Sequence, residues 1–268
     1  MQPELERLQT NRSLLFFLLG AVFVILTANV LGSVTATTVT DLLYVPVSGE
    51  LLVLAVAITV RFRAKGDHGK AYLFFVGFVA LWFVAEVLWM ISDLTNYLSP
   101  FPAEIDWLYL GGYPLLFLFS IYYLKPMQKA ISKKMLACAS LATITFLVPT
   151  LYITHSYNPD ASMSKIIWAG AYPVADAVVL FPAILGLMLF FKGTVTLFWS
   201  LACIAIVLNI VADSGFFFLQ IGKPYYSGHP IDILYLWSYI LFSFGIYSHI
   251  RLYKKPKTKS YGNIDDLK

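Results

Sequence analysis

Read from its N-terminus, the chain alternates long apolar runs with short polar breaks. The runs fall near 13–32, 42–60, 71–92, 105–124, 135–154, 171–191, 195–220 and 231–250. Each approaches the roughly 20 residues with which a helix crosses a bilayer. Ser13-Leu14-Leu15-Phe16-Phe17-Leu18-Leu19 is typical: it is apolar all round, whereas a strand of a membrane barrel would alternate over roughly 10 residues. Only helices and closed barrels satisfy their backbone groups in lipid, so the runs predict helices. The first run is longer than the roughly 7–15 apolar residues of a signal peptide. Its head carries Glu4 and Glu6 beside Arg7 and Arg12, and it reads as a retained helix. The expected fold is an all-α integral membrane protein with eight transmembrane helices.

Composition narrows the class further. Of 268 residues, 59% are apolar, 16% aromatic and 13% charged, and the mean hydropathy is +0.74. Disordered, collagen-like and disulfide-scaffold classes are excluded, and a water-soluble enzyme is disfavoured. The polar breaks leave little chain for a soluble catalytic or signalling domain, and nothing points to a nucleic-acid partner. Cys138 and Cys203 lie inside expected helices as small packing residues, with no disulfide framework.

Basic residues set the expected orientation. With a cytoplasmic N-terminus and eight crossings, Arg7, Arg12, Arg61, Arg63, Lys65, Lys70, Lys125, Lys129, Lys133, Lys134, Lys192, Arg251, Lys254, Lys255, Lys257, Lys259 and Lys268 all fall inside. Of the 19 basic residues only Lys165 and Lys223 fall outside. Both termini are therefore expected in the cytoplasm of a cell-membrane protein. The tail 254–268 is expected to touch anionic lipid, each charge contributing about 1 kcal/mol.

The chain also resembles itself. Asp106-Trp107-Leu108-Tyr109-Leu110-Gly111-Gly112-Tyr113-Pro114-Leu115 recurs as Asp232-Ile233-Leu234-Tyr235-Leu236-Trp237-Ser238-Tyr239-Ile240-Leu241, with Asp, Leu, Tyr, Leu, Tyr and Leu shared. Tyr44-Val45-Pro46-Val47 and Tyr172-Pro173-Val174 precede helices 2 and 6, and Ala85-Glu86 is answered by Ala212-Asp213. These matches predict a duplication, with repeats at 1–130 and 131–253. Four helices per copy make the halves parallel, about an axis along the membrane normal.

Acidic residues are the candidate chemistry, because a carboxylate at a helix centre costs roughly 2.5–3.5 kcal/mol to insert. Glu50, Glu86, Asp176 and Asp213 all fall in the outer halves of their spans, and Asn209 stands one turn from Asp213. Asp106 and Asp232 open inward-running helices, where a first-turn carboxylate either complements the helix dipole or lines a site. Glu50 and Asp176 have a similar structural reading near Pro46 and Pro173. Asp41 is placed in an outer loop and Asp93 at the interface. Glu86 and Asp213 are harder to explain structurally, since they approach the C-terminal ends of their helices with no Lys or Arg in the outer half of any span. They must be protonated, hydrogen-bonded, or paired with a cation or ligand.

Tyrosines are the expected donors. Asp106, Tyr109 and Tyr113 share one helix face, Asp232, Tyr235 and Tyr239 repeat it, and Glu86, Trp89 and Asp93 form a comparable stripe. Some of these rings fit an aromatic belt, but Tyr113 and Tyr239 lie two turns inside. Together the residues predict an acidic, tyrosine-lined pocket open to the exterior, taking a small polar or cationic ligand. No Lys lies within a span, which excludes a retinal Schiff base. The histidines lack the facing mid-helix arrangement of a membrane haem, and no HExxH, Walker or nucleophile-elbow motif occurs. No cofactor or metal is expected, although outer acids with His155 and His229 are an alternative divalent-cation site.

The run from Asp106 through Tyr109, Tyr113, Pro114 and Leu116 resembles a signature of the multi-helix membrane regions that precede GGDEF, EAL or histidine-kinase domains in bacterial signalling proteins. Tyr172-Pro173-Val174-Ala175-Asp176 and Ala212-Asp213 resemble further elements of those regions, over roughly residues 40–250. The resemblance implies a sensory module; with no output domain after helix 8, it would stand alone and act on a cytoplasmic or membrane signalling partner. A second resemblance is to eight-helix lysoplasmalogenase-type lipid hydrolases, which place one acid in each half; there a Gly-Asp pair is typical where this chain has Ala85-Glu86. Three function classes follow. The first is a sensor. The second is a lipid hydrolase using Glu86 and Asp213 as an acid/base pair on a shared water. The third is a proton- or cation-coupled transporter of small solutes.

Overall fold

The structure is a computed structural model that describes residues 2–63, 65–95, 104–156, 163–191, 193, 196–222 and 225–252. Among them it has no strand and eight α-helices: α1 (Gln2–Val30), α2 (Ser33–Phe62), α3 (Gly66–Thr95), α4 (Glu104–Leu124), α5 (Lys133–Ser156), α6 (Met163–Phe191), α7 (Leu197–Gly222) and α8 (Asp232–Leu252). All eight are long and apolar enough to cross a membrane, and the chain is a multi-pass membrane protein by that criterion. The expected basic tail lies outside the described residues.

One boundary corrects the sequence reading. Thr- and Ser-rich residues 33–41 belong to α2, which starts almost directly after α1. Two of their hydroxyls bond without loop geometry: Thr38 donates to Val34 O at 3.1 Å, one turn back, and Thr37 donates to Ser227 O at 2.9 Å, while the buried Thr40 hydroxyl has no partner. Asp41, expected in a loop, is thereby inside α2 and only 3% exposed.

The helices adjoin in the order α2, α3, α4, α6, α7, α8 and back to α2, a closed ring of six. α1 packs in the groove between α2 and α8, and α5 packs against α6. Trp237 of α8 donates its Nε1–H to Leu18 O of α1 at 2.9 Å. Trp237→Phe keeps an apolar ring and removes this donor, and is expected to cost about 1 kcal/mol of stability in thermal unfolding.

Aromatic side chains fill the middle of the ring. Phe75 lies against Phe119 (ring centroids 4.8 Å apart) and Phe242 (5.3 Å), and Phe78 against Trp82 (4.4 Å). Tyr72, Phe75, Phe78, Phe119, Phe198, Trp199 and Phe242 are all fully buried. Below this column, the Tyr72 hydroxyl meets His249 Nε2 at 3.0 Å, Arg61 donates to Ile250 O, and Lys125 pairs with Asp67 at 2.9 Å. The helix acids with tyrosine partners lie at the opposite end. The bundle thus has an acidic and a basic end, separated by packed aromatic rings.

Candidate functional site

The acidic end is organised by α4 and α8. Their i, i+3, i+7 spacing turns Asp106, Tyr109 and Tyr113, and likewise Asp232, Tyr235 and Tyr239, toward the ring interior. Tyr113 donates to Asp213 or Asp176: its hydroxyl lies 2.7 Å from Asp213 Oδ2 and 2.8 Å from Asp176 Oδ1. Tyr235 donates to Asp213 Oδ1 at 2.7 Å and Asn209 Nδ2 to Asp213 Oδ2 at 2.8 Å. Tyr239 donates to Glu86 Oε1 at 2.6 Å, and the Tyr109 hydroxyl also bonds Glu86. Each of the two acids therefore takes one tyrosine from α4 and one from α8.

Trp82 is wedged between these groups, its ring 6.1 Å from Tyr109, 5.8 Å from Tyr113 and 6.3 Å from Tyr239. It reaches α4 because Gly112 has no side chain: a Cβ there would lie 2.3 Å from Trp82 Nε1, which instead donates to Tyr109 O at 3.0 Å. Tyr113 and Tyr239 are buried, while Glu86, Asp213, Tyr109 and Tyr235 keep part of their surface accessible.

Proton counting gives this cluster its chemistry. Tyr113 has one hydroxyl proton and two carboxyl neighbours. The second contact is a hydrogen bond only when Asp176 or Asp213 donates a proton of its own. Lys125 pairs with Asp67 at the basic end, and no Lys or Arg reaches Glu86, Asp176 or Asp213 among the described residues. Glu86, Asp176 and Asp213 are thus held by phenol and amide donors, an arrangement that stays short of positive charge.

Of the sequence-predicted residues, Glu86, Asp213, Asn209, Asp176, Tyr109, Tyr113, Tyr235 and Tyr239 come together in this one network. Asp106, largely buried, accepts from Tyr172 at 2.6 Å. Asp232 accepts from Tyr225 at 2.7 Å and from the Gly228 N–H at 2.6 Å. The latter N–H lies upstream of α8, so the carboxylate ties down the preceding segment. Glu50 is not brought in: it stands exposed on α2, because Ser48, Leu51 and Ala55, at i, i+3 and i+7, carry the inward face.

Sequence reasoning missed several members. Tyr44, which donates to Asp232 O at 3.0 Å, and Tyr172 were visible only as repeat markers. Tyr225 lies in a polar segment with no periodicity to point it inward, and Trp82 looks like any apolar position. The Glu86, Trp89 and Asp93 stripe is tied to that segment too: Trp89 Nε1 donates to Ser227 Oγ at 2.9 Å, and Ser227 donates to Asp93. Among the described residues no three His, Cys, Asp or Glu side chains gather so as to hold a metal ion. No family model, curated protein or solved structure matches this chain.

Proposed function

We propose that the chain is a membrane-embedded sensor module that binds a small organic cation at its acidic end. The observation that carries this reading is the pairing of Glu86 and Asp213, each with two tyrosine hydroxyls, around the Trp82 ring. Carboxylates supply charge, and the faces of Trp and Tyr attract an ammonium group by about 0.5–2 kcal/mol per contact. Among the described residues no Lys or Arg bonds Glu86 or Asp213, so none competes for these two carboxyls. We take the acidic end to be extracellular and both termini cytoplasmic, from the distribution of Lys and Arg. A signalling partner would then meet the basic end.

The duplication is part of this reading. Exchanging the halves exchanges the bonds: Tyr113 to Asp213 with Tyr239 to Glu86, and Tyr235 to Asp213 with Tyr109 to Glu86. Tyr172 on Asp106 similarly answers Tyr44 on Asp232, the latter through the backbone carbonyl. The order of neighbours around the ring supports the same two-fold relation.

Purified protein in lipid nanodiscs should be stabilised by primary or quaternary ammonium compounds. At about 100 times Kd the gain is about 2.7 kcal/mol. Glu86→Gln and Asp213→Asn should each remove most of the thermal shift. No shift with any ammonium compound, or a shift that survives both substitutions, would defeat the proposal. A lipid hydrolase is the second reading, favoured by the carboxyl pair Asp176 and Asp213 that share Tyr113. Its sign would be lysolipid turnover abolished by Asp176→Asn. The aromatic column between the two ends speaks against a transport path.

A further inference from the structure

The segment 225–231 between α7 and α8 forms a strap across the acidic end. It is fastened to three helices from the other half of the chain. Asn29 of α1 donates to Gly228 O and accepts from the Tyr226 hydroxyl, both at 2.6 Å. Thr37 of α2 donates to Ser227 O at 2.9 Å. Trp89 and Asp93 of α3 bracket the Ser227 hydroxyl. Where the strap meets α2 and α3, the Asp41 carboxyl faces both Asp93 and Ser227 within hydrogen-bonding reach.

The protons at this junction do not suffice. Ser227 spends its one hydroxyl proton on Asp93, and the Trp89 N–H is spent on Ser227. Asp41 is 3% exposed, and its Oδ2 is buried with no partner. Two carboxyl groups facing each other are both acceptors unless one carries a proton. A metal ion is a poor substitute, since no third acid or imidazole closes on the pair among the described residues.

We propose that Asp41 and Asp93 form a proton-binding site that latches the strap closed. With one proton shared, the pair is a carboxyl–carboxylate hydrogen bond that holds α2, α3 and Ser227 together. With none, two like charges repel at close range in a poorly solvated place and push the junction apart. Closure is therefore complete at acid pH and lost as pH rises. Every titratable neighbour among the described residues either adds to this sign or is silent. Glu86 of α3 and Asp232 of α8 both act on Asp41 as further negative charges. The phenols Tyr44 and Tyr225 are neutral at these pH values. His229, on the strap, accepts the Ile231 N–H through Nδ1, and burial holds its imidazole below the usual value. Among the described residues no Lys or Arg is one of these facing groups.

The test is amide hydrogen exchange of the strap in full-length protein in nanodiscs, corrected for intrinsic rates. Between about pH 5 and about pH 8, protection over 225–231 should fall at least about tenfold. In Asp41→Asn the amide supplies the missing donor permanently, and protection should stay high at both values. Asp93→Asn should flatten the pH dependence too, so the result does not hang on one variant folding. His229→Gln should leave it unchanged. Equal wild-type protection at both pH values, or Asp41→Asn and Asp93→Asn both keeping the wild-type dependence, would overturn the proposal. So would restored protection on adding calcium at the higher pH, which would assign the junction to a metal ion.

Discussion

Asp213→Leu is expected to lower the unfolding free energy by about 3–5 kcal/mol. The substitution strands the Tyr235 hydroxyl and the Asn209 amide and leaves Tyr113 with Asp176 alone. Each buried donor without an acceptor costs about 1–3 kcal/mol. Asp213→Asn keeps one acceptor oxygen and should cost only about 1–2 kcal/mol on the same basis. Denaturant titration in mild detergent measures both. Adding Tyr235→Phe to Asp213→Leu should recover part of the loss, because removing both partners of a buried polar pair is far less costly than removing one. A leucine variant within error of wild type would mean that the tyrosines relax to water and that this network holds nothing in place.

Gly228→Ala is expected to be nearly as severe, by about 3 kcal/mol or more, through the backbone rather than through charge. Gly228 has φ +90°, and a Cβ there would lie 2.5 Å from the Ala36 carbonyl carbon and oxygen and 2.9 Å from Thr40 Oγ1. The obstacle is the main chain of α2, which cannot swing aside as a side chain can. The strap must shift, and its bonds from Asn29 and to Asp232 go with it. Gly20→Ala is the matched control, since nothing lies within 4 Å of the added methyl; in a helix interior it should be neutral or favourable by up to about 1 kcal/mol. Unfolding temperatures read both. Equal stability of the two variants would show that the strap is not a structural tie.

Both variants act at the acidic end, yet they separate two roles. Asp213 sits in the network proposed to meet the ligand, whereas Gly228 positions the strap beside it. A Gly228→Ala protein that unfolds early but still responds to ammonium compounds would locate the binding groups in the helices alone.

How much of this was legible in the sequence differs residue by residue. The eight helices were readable because the demand for about 20 apolar residues is local: lipid makes each helix satisfy its own backbone wherever its neighbours lie. The inward faces of α4 and α8 were readable for a related reason, since the i, i+3, i+7 spacing of Asp106, Tyr109 and Tyr113 depends only on helix geometry. That Glu86 and Asp213 need donors also followed, from the cost of charge in lipid.

Only the tertiary structure decided which donor meets which acid. Tyr239 reaches Glu86 across 153 residues of chain and Tyr113 reaches Asp213 across 100, and both depend on α4 adjoining α6 and α2 adjoining α8. Hydropathy carries no information about the order of helices around a ring, since every apolar face looks alike to lipid. For the same reason Glu50 and Asp176, indistinguishable as acids in a span, ended on opposite sides of their helices, one exposed and one buried. Asp41 was assigned to a loop because a run of threonines looks polar. The Thr38 and Thr37 hydroxyls in fact close on carbonyls of their own helix and of a strap 190 residues away. Sequence therefore determines the spans and the face each polar group shares, both short-range properties of one helix in lipid. The pairing of those groups is settled by packing, where the energy of a hydrogen bond depends on neighbours that the chain brings together only when folded.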